Sequence, residues 1–138
     1  LRTALGELPL DDGLRRQLEE AGAPRRVVVG IRPEHFEDAA LLEHRRGGRT
    51  VTVGVEVLES VGSDVFVHFT AKDGRGSGPE DGPTDGHENG PGAGREVVAR
   101  IGTATRAAEG RPLELWVDTA RLHVFDPGTG AALTSTAR

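Results

Sequence analysis

The chain has 138 residues, with 17 basic and 22 acidic side chains for a formal net charge of −5. That length suits one ordinary domain or two very small ones, and it excludes a large multidomain enzyme. With no cysteine, disulfides, thiolate metal sites and cysteine nucleophiles are excluded too. No apolar run approaches the roughly 20 residues of a membrane span, and the opening LRTALGELPLDDG lacks the basic, apolar, small-residue order of a secretory signal. There is no methionine, so Leu1 is not an initiator and the chain is expected to be a piece of a longer product.

In chain order, DDGLRRQLEEAG reads as a short helix. Asp11 or Asp12 is its N-cap, Leu14 and Leu18 share a face, and Gly22 is the stop. Arg25 to Ile31 reads as a strand ended by Pro33, which cannot donate to a ladder. PEHFEDAALLEH adds a further short turn or helix. From Thr50, the period-two run Val51, Val53, Val55, Val57 and the run Val65, Val67, Phe69 flank the turn residues Gly62-Ser63-Asp64, which predicts one hairpin over Thr50 to Thr70. Residues 73–95 hold eight glycines and three prolines, with nothing apolar larger than Ala93. They read as a flexible acidic loop inserted between 1–72 and 96–138. A second hairpin is predicted from Val97, Ala99 and Ile101 to Leu113, Leu115 and Val117, with Trp116 on the opposite face seeking a partner for its indole nitrogen. Leu122 and Val124 mark a last strand. Short strands, glycine-rich turns and little helix predict a mostly β fold, a small barrel or sandwich.

Several chemistries lack their parts. A phosphate-cradling P-loop needs Gly-Lys-Ser/Thr, and the single lysine, Lys72, is followed by Asp73. His35, His44, His68, His87 and His123 fall at no metal-ligand spacing, and the acidic stretch around Asp81 lacks the calcium-loop order. Ser60, Ser63, Asp64, His68 and Glu59 have no G-x-S-x-G elbow to present a nucleophile. Five aromatic residues, no tyrosine and net negative charge disfavour nucleic acid, although Arg25, Arg26, Arg45, Arg46 and Arg49 could form a local basic patch.

Three strings stand out in order: VVVGIRPEHF from Val27, VEVLESVGSDVFVHF from Val55, and LHVFDPGTGAAL from Leu122. Together they resemble the C-terminal regulatory, TOBE-like domain of the ATP-hydrolysing subunit of carbohydrate importers of the ATP-binding-cassette superfamily, in the maltose, trehalose and glycerol-phosphate group. Gly30, Arg32, Pro33, Glu34 and His35 match one family element, Glu59, Gly62 and Asp64 a second, and Leu122, His123, Phe125 and Asp126 a third. The resemblance implies OB-type barrels with one or two short helices and a non-catalytic fragment without cofactor, ATP and magnesium belonging to a domain upstream. It further implies a homodimer, membrane permease subunits reached through the upstream domain, a cytoplasmic regulator as a further partner, no nucleic acid, and a peripheral place on the cytoplasmic side of the inner membrane. Trp116, Val124 and Phe125 are the candidate interface residues, and weak self-association is expected. The alternative is a small oxyanion-binding OB-type module using Arg32 and the glycine-rich turns.

Overall fold

The computed structural model describes residues 1–44, 47–71 and 94–135. An N-terminal hairpin, not foreseen from the sequence, joins β1 (Arg2–Thr3) to β2 (Gly6–Glu7), with the Thr3 hydroxyl accepting from the Leu5 amide and donating to the Gly6 carbonyl. Helix α1 (Asp12–Glu20) follows. The Asp11 carboxylate accepts from the Leu14 amide at 2.6 Å, so Asp11 is the N-cap. Gly22, at φ +62°, takes the left-handed conformation that closes the helix, and its amide and that of Ala23 satisfy the Glu19 and Leu18 carbonyls. Leu14 is buried in the core that also holds Leu8 and anchors this two-turn helix, while Leu18 is half-buried.

Two three-stranded antiparallel sheets form the body. The first places β9 (Pro112–Val117) between β4 (Phe36–Asp38) and β5 (Arg49–Gly54). The second places β7 (Asp64–Ala71) between β6 (Val57–Val61) and β8 (Arg95–Gly102). Alternation is cleanest on β7, where Val65, Val67, Phe69 and Ala71 are buried while Asp64, Phe66, His68 and Thr70 are half-buried. The inward residues of both sheets meet in one core with Leu8, Leu14 and Leu122, and Phe36 packs edge-on against Phe69 with ring centroids 5.9 Å apart. The domain is small and mostly β.

The pairing corrects both predicted hairpins. The run from Thr50 is not one arm of a hairpin. It divides at Val55–Glu56: the Val55 amide and carbonyl bond to Arg111 and Gly110 in the turn that leads into β9 of the first sheet, and the Glu56 amide bonds to the His68 carbonyl in the second. The true hairpin is β6–β7, Val57 to Ala71, turning at Gly62 with φ +60°. Nor do β8 and β9 pair with each other; β8 adds to β7 and β9 adds to β5 and β4. Periodicity gave the buried faces except at Val57, which is 44% exposed because the chain has changed sheet by that point, and partners too depend on where it does so, which is a tertiary choice. The predicted loop lies outside the described residues over 73–93; at its far end Arg95 already belongs to β8, opposite Ala71.

The predicted strand Arg25–Ile31 contracts to β3 (Val28–Gly30), which pairs antiparallel with β10 (His123–Phe125). PEHFEDAALLEH is not an α-helix. Its 3₁₀ turns Pro33–His35 and Ala39–Leu41 enclose β4, because Phe36 and Asp38 point inward at strand spacing rather than helical spacing. Asp38 is 5% exposed, and its carboxylate accepts from the Ala40 amide at 3.0 Å and the Thr105 hydroxyl at 2.5 Å. A buried carboxylate needs such partners to be tolerated.

Candidate functional site

The β3–β10 pair brings the first and third motifs together. Its register sets His123 opposite Gly30 and Phe125 opposite Val28. A side-chain carbon on Gly30 would stand 3.4 Å from Phe125 Cε2 and 3.6 Å from His123 Cβ, ordinary contact distances that place both side chains over the backbone of Gly30. Beyond Gly30, Arg32 is extended and Pro33 takes the first position of the 3₁₀ turn, where its fixed φ fits and its missing N–H is not needed. The His35 amide returns to the Arg32 carbonyl at 2.9 Å. Pro33 therefore starts a turn as well as ending a strand, and the turn sends Phe36 into the core and His35 to the β10 side.

There, three rings stack in sequence. His35 lies 6.4 Å from His123, and His123 lies 6.4 Å from Phe125, with an interplanar angle of 14° at each step. All three are half-buried. The His35 Nδ1 is buried with no hydrogen-bond partner among the described residues. Burial pushes the His35 imidazole below its ordinary value, with the Arg121 and His123 charges acting in the same direction and Glu34 and Asp118 opposing them. The surroundings of the stack thus favour the neutral form of His35. Glu34 is held low chiefly by its backbone hydrogen bond, helped by His35, Arg100 and Arg32 and opposed by desolvation. Asp118 ties β9 to the stack: its amide donates to the His35 carbonyl at 3.2 Å, and its carboxylate accepts from the Ala120 amide and pairs with Arg121.

The rest of the third motif shapes the chain. Leu122 is fully buried, and Asp126 closes the DPGTG turn by accepting from the Gly128 and Thr129 amides at 2.7 and 3.2 Å. The second motif lies on the other sheet. Glu59 pairs with His68 Nε2 at 3.0 Å, while Glu96 meets the opposite nitrogen, Nδ1, at 3.1 Å. Carboxylates on opposite sides of one ring cannot share an ion with it, and no group of three His, Asp or Glu among the described residues is arranged for a metal. Gly62 makes the hairpin turn and Asp64 opens β7. Asp64 shares one open cleft of about 340 Å³ with Glu34 and Arg100, so motifs one and two also border a common surface.

Of the three candidate interface residues, Val124 is fully buried and presents no surface. Its outward alternates on β10 are His123 and Phe125. Trp116 is half-buried, and its indole N–H donates to the Gly47 carbonyl at 3.2 Å. Gly48, at φ +64°, passes directly beneath it; a side-chain carbon there would run into the Val117 carbonyl oxygen and lie 2.7 Å from Trp116 Cε2. Sequence reasoning missed this Gly47–Gly48 seat, the Asp38–Thr105 bond and the His68 bridge. The only available signal was the Asp-Ala-Ala order at 38–40, which suits a capping aspartate. The Trp116 seat joins residues 69 apart, and the His68 bridge joins residues of three different strands.

No helix among the described residues is long and apolar enough to cross a membrane. No protein-family model matches the chain. Individual relatives do. The chain is 34% identical over 137 residues to the trehalose import ATP-binding protein SugC of Mycobacterium tuberculosis, covering 97% of the chain and 35% of the relative. It is 34% identical over 125 residues to the sn-glycerol-3-phosphate import ATP-binding protein UgpC of Chromobacterium violaceum, covering 88% of the chain and 27% of the relative. It is 28% identical over 110 residues to the trehalose/maltose import ATP-binding protein MalK of Thermococcus litoralis, covering 79% and 24%. The chain spans about a third or less of the length of these relatives, and over most of its own length it is similar to part of import ATP-binding proteins.

Proposed function

We propose that this chain is the C-terminal, OB-type regulatory domain of the ATP-hydrolysing subunit of an ATP-binding-cassette sugar importer. The alignment of 97% of the chain to part of a trehalose import ATP-binding protein is the observation that carries the reading. The joining of motifs one and three in a single ring stack supports it. ATP and magnesium belong to the upstream domain, through which the permease subunits are reached, on the cytoplasmic side of the membrane. The role here is mechanical: two ATPase domains separate and close in each cycle, and domains that pair about a two-fold axis keep them at high effective concentration while apart. Phe125 and Trp116 are the accessible aromatic candidates for that contact, and the His35–His123–Phe125 face is the place for a regulatory partner to act on the open–closed balance.

The test uses the full-length subunit assembled with its permease in proteoliposomes. Deleting the segment equivalent to 1–138 is expected to weaken self-association of the subunit in sedimentation and to lower transport-coupled ATP hydrolysis. Joint replacement F125A/W116A is expected to reproduce the loss of self-association in part. An upstream reading frame without an ATPase module, or a deleted subunit that dimerises and transports normally, refutes the proposal.

A further inference from the structure

A second feature lies away from the ring stack. Leu1, Glu7 to Leu10, Arg15, Gly48 and Arg49 surround an open cleft of about 450 Å³, a size that admits a sugar-sized ligand. Arg15 comes from α1 and Arg49 from the start of β5. Arg49 occupies an inward register position: it shares the face of Val51 and Val53, which are buried, and stands opposite the buried Val117. The face that is apolar along the rest of the strand thus ends in a guanidinium at the mouth of the cleft. Among the described residues neither Arg15 nor Arg49 is engaged in an ion pair, whereas the one carboxylate of the cleft, Glu7, is drawn to Arg2 at 3.4 Å. Pro9 and Leu10 supply the apolar surface of the cleft, while Leu8 between Glu7 and Pro9 is turned into the core.

We infer that this cleft is a binding site for a small phosphomonoester, the phosphate engaging the Arg15 and Arg49 guanidiniums and the organic body resting against Pro9 and Leu10. Two cations on separate elements bordering one cleft match a dianion, and guanidinium forks suit phosphate oxygens. A volume of about 450 Å³ leaves room for more than the phosphate alone. The site is independent of the importer reading, since it rests on residues outside the three motifs.

Trp116, the only tryptophan, touches Gly48 on the cleft wall and is a built-in reporter. The 138-residue chain, free and N-terminally acetylated, is titrated with glucose 6-phosphate at low ionic strength by Trp116 fluorescence and calorimetry, beside glucose and inorganic phosphate. Saturable binding of glucose 6-phosphate is expected, tighter than inorganic phosphate, absent for glucose and retained after acetylation. Arg15→Gln and Arg49→Gln are each expected to raise Kd by about tenfold or more, as loss of a charge-assisted hydrogen bond does. Arg106→Gln, an exposed arginine away from the cleft, leaves Kd unchanged. Circular dichroism confirms that each variant is folded. No binding, equal affinity for inorganic phosphate, loss on acetylation, unchanged Kd in both cleft variants, or loss in Arg106→Gln overturns the inference.

Discussion

Replacing Gly48 with alanine tests whether the seat beneath Trp116 is as tight as its geometry requires. Two effects add. The residue sits at φ +64°, where an alanine costs about 1–2 kcal/mol for its left-handed backbone. The new carbon would also meet the Val117 carbonyl oxygen and lie 2.7 and 2.8 Å from two indole carbons, so backbone and ring must both move. Overpacking of that kind adds about 1–3 kcal/mol. Gly62→Ala is the internal control, because Gly62 has nearly the same φ, +60°, and nothing within 4 Å of the added carbon. Urea unfolding followed by Trp116 fluorescence and by circular dichroism reads both. With a slope of about 1–3 kcal/mol/M, an excess of about 2 kcal/mol in Gly48→Ala moves its midpoint about 1 M below that of Gly62→Ala. Equal midpoints would refute the steric part of the reasoning and leave only the backbone conformation.

Further outcomes are expected. Thr105→Val strips a donor from the buried Asp38 carboxylate and is expected to destabilise by about 1–3 kcal/mol, measured by urea unfolding at neutral pH. Phe69→Ala removes the fully buried partner of Phe36 and is expected to cost about 3–5 kcal/mol, enough to lower the thermal midpoint strongly or abolish folding. The imidazole of His35 lies below its ordinary value of 6.5 in the fold. The unfolded chain therefore binds the proton first as pH falls: the His35 contribution to stability is complete above about pH 6.5 and is lost progressively between there and the lower folded value. His35→Phe is expected to flatten that part of the stability–pH curve; an unchanged slope would show that the titration belongs elsewhere.

Much of this architecture could be read in advance, and the boundary has a physical origin. Asp11, Leu14 and Gly22 defined the helix because capping, spacing and a positive φ are local requirements. Val51, Val53, Val65, Val67, Phe69, Ala99, Ile101, Leu115 and Val117 were placed inward by alternation, and all are buried. Partners were another matter. Nothing local tells Val55 to bond to one sheet and Glu56 to the other, so the same alternation supports the wrong hairpins as readily as the real ladders. Of the site residues, Gly30, His35, His123 and Phe125 meet at one place, and their proximity followed from no spacing in the chain; it depends on β3 finding β10 across more than ninety intervening positions. Val124 went astray for a simpler reason: its neighbours on β10 point outward, and it points in.

The junction at Val55–Glu56 also has a mechanical meaning. Because one uninterrupted peptide run is stitched into both ladders, a pull on either sheet is handed to the other through covalent backbone and not only through the soft contacts of the core. The two layers should therefore yield together, with the amides of β5 and β6 exchanging their hydrogens at matched rates. A body that transmits force without first coming apart between its layers is well suited to linking moving parts.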